Sequence, residues 1–407
     1  MESSSKFRFI DLFCGIGGFH QALSSLGGEC VFASDIDKEC QKTYFDNYDI
    51  APVGDITQVD EKTIPEFDVL CGGFPCQSFS KAGNRRGIED ARGTLFFDIL
   101  RIAKHHQPKF MILENVRNLA SHDSGQTWKI IHENLLEIGY SVSEEPIIFS
   151  PHFIGIPQHR ERVFILCKRK DLGEVPFFNL QPNKALKCNL DLILQDASEI
   201  DSEKYALKPD LIALIDIWNE FIQGITTPLP GFPVWSDRLR ALDFNENLEL
   251  LPKWKKNFII KNNDLYEKNR EFIDTWLIKA TNLENFKGSK SMLEWQAGKI
   301  ENPNIWDTIM QLRPSGLRVK SPTYFPALVA ITQTSILGNK KRFMTPRECA
   351  RIQSFPDSFK LHSKDSTAYK QFGNSVNVKV VLLFATFLLQ PETFDPSEFH
   401  LEKTSSY

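Results

Sequence analysis

The sequence predicts an α/β protein built on a doubly wound, mostly parallel β-sheet, with a smaller domain inserted ahead of the C-terminal segment. Apolar runs of strand length alternate with helical patterns through residues 7–170, which is typical of a parallel sheet covered on both faces. The alternation stops near residue 186, where Trp, Asn and Lys become frequent. Helical and apolar patterns return near residue 343.

The alternation can be followed element by element from the N-terminus. Strands are predicted at FRFIDLF, CVFAS, FDVLC, KFMILEN, YSVSEEPIIF and RVFILCK. Helices are predicted at GFHQALSSLG, DKECQKTYFDNY, GTLFFDILRIAKHH and TWKIIHENLLEIG. Strands joined through helices of this length run in the same direction.

We expect two domains, because 407 residues exceed the roughly 250–300 that one core serves. Residues 1–185 would form the first domain and 186–342 the second, with 343–407 returning to the first. Six of the seven Trp lie between residues 218 and 306, inside the inserted segment.

The composition excludes several classes of protein. With 42% hydrophobic and 25% charged residues, the chain is neither disordered nor collagen-like. No apolar run approaches the roughly 18 residues of a membrane span, and the N-terminus lacks a signal-peptide pattern, so we expect a soluble, intracellular protein with no membrane partner. Eight Cys without CxxC spacing indicate reduced thiols and no metal site.

The net charge of −4 hides a local basic segment. Residues 308–342 contain six Lys or Arg, including Arg313, Arg318 and Lys320, and no Asp or Glu. Such a segment can face nucleic-acid phosphates. A solvated basic face explains the same charges.

Two patterns indicate a nucleoside site at the carboxyl ends of the strands. Phe13-Cys14-Gly15-Ile16-Gly17-Gly18 joins a predicted strand to a helix, where glycines let backbone approach a ligand, although a tight turn also uses glycine. Asp35 and Asp55 follow the next two apolar steps. Carboxylates in these places could bind the hydroxyls of a ribose.

Three further patterns carry reactive groups. In Gly72-Gly73-Phe74-Pro75-Cys76 the proline disfavours regular structure, so the Cys76 thiol is a candidate nucleophile, whereas Cys71 fits a buried role better. Glu114 ends an apolar strand and could hold a proton near neutral pH; Asn115 beside it could equally cap a helix. Arg160 and Arg162 alternate onto one face of a strand, although a charge run is often solvated.

These motifs resemble those of the cytosine C5 DNA methyltransferases, in the short bacterial form of restriction–modification systems. The resemblance covers about 1–170 and 343–385. It rests on FIDLFCGIGGF, GDIT, GGFPCQSFS, ENV, QHRERVF, RECARIQSFPD and QFGNSV, which occur in the order of the family's motifs.

The resemblance implies the methyltransferase version of the fold and an S-adenosylmethionine site that releases S-adenosylhomocysteine. Its residues would be Phe13, Gly15, Ile16, Gly17, Asp35, Ile36, Asp55, Ile56, Pro75, Leu95 and Asn374. The family usually has Glu at the position of Asp35 and often Trp at that of Ile36, so stacking of adenine on residue 36 is weakened here.

The resemblance also implies a mechanism without a metal. Cys76 would add to carbon 6 of a flipped cytosine, with Glu114 protonating nitrogen 3. Arg162 would hold the carbonyl oxygen and Arg160 would support the loop. Residues 77–92 would form a lid in which Ser80 and Arg92 contact phosphate.

The inserted segment would be a target recognition domain that binds duplex DNA through Arg313, Arg318 and Lys320. It carries Ala327-Leu328 where the family commonly has Thr-Leu. We expect a monomeric, cytoplasmic bacterial enzyme, with a cognate restriction endonuclease acting on the same site as its candidate companion.

Three alternatives stay open at this point. A methyltransferase acting on transfer RNA would share Cys76 and Glu114, but such relatives usually have Pro in place of Phe74. A Rossmann oxidoreductase would need a third glycine in the first turn. A catalytically silent DNA-binding protein would be expected to have lost the nucleophile.

Overall fold

The computed structural model describes residues 6–75, 95–183, 186–239, 250–284, 286–329 and 334–403. The chain divides into two compact units. The first unit comprises residues 1–193, 327–332 and 346–407, and the second comprises 194–326 and 333–345.

The described residues contain both β-strands and α-helices, with the following bounds. The strands are β1 Phe7–Leu12, β2 Gly28–Ser34, β3 Val69–Gly73, β4 Phe110–Val116, β5 Tyr140–Val142, β6 Ile147–Phe149, β7 Gln158–His159, β8 Arg162–Arg169, β9 Leu180–Pro182, β10 Val234–Trp235, β11 Met292–Gln296, β12 Ile309–Arg313, β13 Gly316–Lys320, β14 Phe325–Pro326, β15 Ile336–Leu337, β16 Arg342–Phe343 and β17 Leu401–Lys403. The α-helices are α1 Gly18–Ser25, α2 Lys38–Tyr48, α3 Leu95–His106, α4 Gln126–Glu137, α5 Ser202–Tyr205, α6 Pro209–Gly224, α7 Lys253–Lys268, α8 Arg270–Thr281, α9 Pro346–Ile352, α10 Asp365–Asn374 and α11 Val378–Leu389.

The first unit is organised around one seven-stranded sheet. Its order is β2-β1-β3-β4-β8-β5, with β6 also paired to β8. The β1–β2, β1–β3 and β3–β4 pairs are parallel, whereas β8 is antiparallel to its three neighbours. The predicted mostly parallel α/β architecture is therefore confirmed.

Helices cover both faces of this sheet because alternate residues of each strand point to opposite sides. On one face, Ile10 and Leu113 belong to a core that includes Phe96 of α3 and Trp128 of α4. On the other face, the Phe164 ring of β8 lies 4.5 Å from the Phe384 ring of α11, measured between centroids. The sheet is buried from both sides, as the apolar strand sequences require.

The C-terminal segment belongs to the first unit, and its strand pairing explains where the units divide. β17 pairs with β9, which ties the end of the chain to the first unit, and that unit continues to residue 193. In the second unit, β16 pairs with β15, so that unit extends past residue 342.

The second unit has a six-stranded sheet of its own, in the order β10-β11-β13-β12-β15-β16. One face of it packs on α6 and α8 in an aromatic core that contains Trp218 and Trp276. Three of the six inserted Trp are thus buried packing residues, Trp295 among them.

Asp365–Leu389 is long and apolar enough by composition to cross a membrane, but 67% of its most apolar window is buried inside the protein. It consists of two helices, α10 and α11, separated at residues 375–377. Its apolar character reflects packing against the sheet.

Asp11 is the next-to-last residue of β1 and is fully buried. The Cys71 thiol lies 3.8 Å from its Oδ1, and its Oδ2 has no hydrogen-bond partner among the described residues. Burial raises the pKa of Asp11 well above its ordinary value. The folded state therefore binds this proton more tightly than the unfolded state does.

Asp11→Asn should flatten the pH dependence of stability. Because the pKa is raised on folding, the wild-type free energy of unfolding should fall as pH rises from about 4 toward the native pKa, by up to about 1.4 kcal/mol per pH unit. The asparagine variant lacks this titration. Urea unfolding at several pH values measures both slopes, and equal slopes would mean that Asp11 is ionised in the folded protein.

Candidate functional site

The carboxyl ends of β1 to β4 open into a cavity of about 570 Å³ within the first unit, a volume typical of small-molecule sites. This edge of a parallel sheet is where ligands commonly bind. The predicted residues that line the cavity are Phe13, Gly15, Asp35, Ile36, Asp55, Ile56, Pro75, Leu95, Glu114, Arg160, Arg162 and Asn374. Ile16 and Gly17 are not part of this lining.

The turn from β1 to α1 explains why Ile16 and Gly17 do not line the cavity. Gly15 and Gly17 have positive φ angles of 54° and 84°, which favour glycine. A Cβ on Gly17 would clash with the Tyr48 ring, and the Ile16 side chain is buried. The structure gives these two residues packing roles, and their contact with a cofactor stays a prediction.

Asp35 connects this turn to the start of α2. Its Oδ2 accepts a hydrogen bond from the Gly15 amide at 2.7 Å, and its Oδ1 accepts one from the Asp37 amide at 2.8 Å. Burial raises the pKa of Asp35, while these two hydrogen bonds lower it. Each carboxylate oxygen has a second lone pair, so Asp35 can also accept from the hydroxyls of a ligand.

Asp55 is placed by a different local structure from the one predicted. It follows an isolated bridge between Ser34 and Val53, so the apolar step before Asp55 forms a single bridge and not a full strand of the sheet. Its Oδ1 accepts from the amide of Thr57 at 3.0 Å and caps the 3-10 turn Ile56–Gln58. The cap holds the carboxylate at the cavity wall.

Asp37 also lines the cavity, although the sequence motifs did not point to it. It caps α2 by accepting from the Glu39 and Cys40 amides, and its Oδ2 lies 3.0 Å from Nζ of Lys370. The cap and the nearby lysine lower its pKa, although burial raises it. An Asp directly before a polar helix is the signal that predicts such a cap.

Ile36, on which the resemblance would place adenine, is an exposed residue of the cavity lining. Its side chain is 73% exposed, whereas Ile56 across the lining is buried. An apolar side chain in this position offers a surface that a flat aromatic base could cover.

Glu114 and Arg162 form an ion pair in the lining of the cavity. Arg162 Nε lies 3.0 Å from Glu114 Oε1, and the two side chains are only 19% and 13% exposed. Burial raises the pKa of Glu114, and the two nearby arginines lower it less. A Cβ on Gly73, the residue paired with Glu114 across β3 and β4, would lie 3.0 Å from Oε2.

Arg160 is buried and binds backbone carbonyl groups. It donates to Leu328 at 2.9 Å, Gly373 at 3.0 Å and Ser375 at 2.9 Å. Burial, followed by repulsion from Arg162, lowers its pKa to about 9. These hydrogen bonds fix the backbone on both sides of Asn374, so Arg160 is a positioning residue for the cavity wall.

Arg160→Ala should destabilise the first unit by about 3 kcal/mol or more, because it leaves three buried carbonyl oxygens without donors. Denaturant unfolding measures the loss. Lys129→Ala is the control, since its ion pair with Glu133 is exposed and should contribute about 0–1 kcal/mol. Equal stability of the two variants would contradict the positioning role.

Asn115 has a role that its sequence context does not reveal. Its side chain is buried in β4 and its Nδ2 donates to the Phe74 carbonyl at 2.9 Å. It does not cap a helix, so that alternative is wrong. The hydrogen bond holds the chain at the end of β3, two residues before Cys76.

Several predicted residues lie outside the described residues. These are Cys76, Ser80, Arg92 and the rest of the predicted lid at 77–92. Among the residues that are described, no group of three or more His, Cys, Asp or Glu side chains could hold a metal ion.

The predicted basic residues lie in the second unit. Arg313 ends β12, and Arg318 and Lys320 lie on β13. Arg318 Nε is 2.6 Å from Oε2 of the buried Glu294, so this arginine is paired with a carboxylate and does not fit the alternative of a solvated basic face.

Comparison with known proteins gives one consistent family. The model of the family described as C-5 cytosine-specific DNA methylase matches residues 7–386. The Type II methyltransferase M.AluI of Cellulosimicrobium cellulans is 35% identical over 93% of this chain and 91% of its own. M.HhaI of Haemophilus parahaemolyticus is 34% identical over 96% of each chain, and M.HpaII of Haemophilus parainfluenzae is 37% identical over 92% of this chain and 87% of its own.

Solved structures support the same fold. The S. pombe Dnmt2 methyltransferase has a TM-score of 0.52 and 20% identity, covering 96% of this chain and 100% of that one. The Entamoeba histolytica methyltransferase EhMeth also has a TM-score of 0.52, with 16% identity and coverage of 95% and 99%. At these identities the likeness concerns the fold alone.

Proposed function

Because the chain belongs to the C-5 cytosine-specific DNA methylase family, we propose that it transfers a methyl group from S-adenosylmethionine to carbon 5 of a cytosine in duplex DNA. The observation that carries this proposal is the composition of the cavity. One end presents the Asp35 carboxylate beside a glycine turn, and the other presents the Glu114–Arg162 pair. The Asp35 carboxylate and the glycine turn suit a nucleoside, and the Glu114–Arg162 pair suits a polar heterocycle.

The cofactor end fits an adenosyl group. Asp35 offers oxygen acceptors for ribose hydroxyls, and Ile36, Pro75 and Leu95 supply apolar surface for a base. No atom of the described residues lies within 4 Å of the position that a Cβ on Gly15 would take, so the backbone there leaves room for a ligand. S-adenosylmethionine supplies an electrophilic methyl group when bound.

The other end suits activation of cytosine. Carbon 5 is a poor nucleophile until a thiolate adds to carbon 6. In the sequence Cys76 lies two residues after Phe74, whose carbonyl accepts a hydrogen bond from Asn115. Addition places negative charge on ring nitrogen 3, which a protonated Glu114 relieves by donating its proton. Arg162 would donate a hydrogen bond to the ring carbonyl oxygen. After methylation, a base removes the carbon 5 proton and the Cys76–carbon 6 bond breaks.

None of these atoms can be reached inside a duplex, so the cytosine must be flipped into the cavity. In this proposal the second unit is the target recognition domain and the first unit carries out the reaction. The enzyme would act as a cytoplasmic monomer. The relatives are named Type II methyltransferases, which supports the proposal that it protects DNA from a cognate restriction endonuclease.

The test is methyl transfer from labelled S-adenosylmethionine to duplex DNA and to transfer RNA in parallel, followed by bisulfite mapping of the product. We expect label on DNA at one short sequence and none on transfer RNA. Labelling of transfer RNA alone would overturn the proposed substrate. Calorimetry with S-adenosylhomocysteine checks the cofactor end separately, and Asp35→Ala should weaken that binding.

A further inference from the structure

The sheet of the second unit has one apolar and one polar face. Leu317 and Val319 of β13 point into the aromatic core, so Arg318 and Lys320 point to the opposite side. Arg318 lies between Glu294 of β11 and Gln311 of β12 in the strand register. Residues that pair across strands share a face. We call Glu294, Gln311, Arg313, Arg318 and Lys320 the polar face.

The polar face carries positive charge that its own residues do not neutralise. Glu294 pairs with Arg318, while Arg313 and Lys320 extend the same cluster. Burial lowers the pKa of both Arg313 and Lys320, and the charge of Arg318 lowers them further. Grouping partly dehydrated cations in this way costs stability, which an acceptor-rich ligand would recover.

Some polar side-chain atoms of the polar face have no hydrogen-bond partner among the described residues. Gln311 is 6% exposed, and its Oε1 has no partner in the part of the chain that the structure describes. Arg318 gives its Nε hydrogen bond to Glu294, and no acceptor in the described ranges takes a hydrogen bond from its Nη1 or Nη2. A purely structural cross-strand pair would leave fewer groups unsatisfied.

We propose that Arg318, oriented by Glu294, reads a guanine in the recognition sequence, while Arg313 and Lys320 contact phosphate. This inference rests on the proposed function. Guanine presents O6 and N7 in the major groove, the acceptors that an arginine fork matches. Pairing with Glu294 neutralises Arg318, so it adds little to general phosphate attraction and its two terminal donors serve discrimination.

The experiment uses the full chain, S-adenosylmethionine and a library of duplexes with randomised sequence around a cytosine. Bisulfite sequencing gives the wild-type site, and binding to a duplex lacking that site gives the salt slope. Arg318→Ala and Lys320→Ala are the matched pair, since each removes one cation from the same strand. Thermal melting and S-adenosylhomocysteine binding check that each variant is folded.

Arg318→Ala should reduce discrimination at one G·C pair about 10- to 100-fold and leave the salt slope unchanged. Lys320→Ala should keep the recognised sequence and lower the slope by about 0.9. Glu294→Gln frees the Arg318 charge, so it should tighten binding to the non-cognate duplex and steepen the slope. Arg318→Lys keeps the positive charge but lacks the planar guanidinium fork, so it should also lose discrimination at that G·C pair. It is the test of the inference if Arg318→Ala does not fold.

An Arg318 variant that is folded, keeps the wild-type sequence profile and lowers the salt slope as Lys320→Ala does would overturn the inference, because Arg318 would then be a phosphate contact. Failure of the proposed function looks different. In that case the wild-type protein would methylate no duplex in the library.

Discussion

Cys76→Ala should abolish methyl transfer to DNA, with a loss of about 10³-fold or more, because the substitution removes the atom that activates carbon 5. Binding of S-adenosylhomocysteine and of duplex DNA should persist, since the cavity residues are unchanged. Single-turnover transfer of labelled methyl groups measures the loss. Wild-type protein should also become covalently attached to DNA containing 5-fluorocytosine, because fluorine at carbon 5 cannot leave as a proton does.

The control for Cys76→Ala is Cys188→Ala, which removes another thiol. The Cys188 Sγ lies near the backbone carbonyls of His152 and Ile156, away from the cavity lining. It should retain wild-type activity and covalent trapping. A Cys76→Ala protein that still methylates DNA would rule out the covalent mechanism.

Glu114→Gln should lower the rate of methyl transfer about 10²-fold or more, the size expected for a general acid. The reaction needs protonated Glu114, and burial raises its pKa, so the protonated form persists to higher pH than for an ordinary glutamate. The wild-type rate should fall as pH rises through this pKa. Glutamine does not titrate, so that descending limb should disappear from the pH profile of the variant.

Single-turnover rates across pH measure both effects of Glu114→Gln. Glu133→Gln is the control, because Glu133 pairs with Lys129 on the exposed side of α4. Its rate and pH profile should match the wild type. An unchanged single-turnover rate for Glu114→Gln would make Glu114 a structural partner of Arg162.

The residues that line the proposed cofactor end of the cavity could largely be predicted from local sequence patterns. Strand-to-helix turns of a parallel sheet come together at one edge, so Phe13, Gly15 and Asp35 could be expected to line one cavity from their places in the sequence. The strand that ends at Glu114 could be placed beside them for the same reason. Whether these residues hold S-adenosylmethionine stays a prediction for the binding experiments above.

Contacts between distant parts of the chain could not be read in the same way. Arg160 and Asn115 act through hydrogen bonds to the backbone of residues 41 to 215 positions away. A carbonyl acceptor has no side-chain identity, so sequence pattern carries no signal for it. The helix-cap alternative for Asn115 failed for this reason.

The fold class and the edge of the sheet that carries the site are consequences of hydrophobic periodicity and turn residues, which act over a few neighbouring positions. The pairing of Arg318 with Glu294 depends on strand register across 24 residues, and the local packing of Gly17 depends on Tyr48. Register and side-chain packing are set by the burial of whole faces. Charge and motif in the sequence therefore identified the candidate functional side chains. The tertiary structure determined which of them are neutralised, buried or available to a ligand.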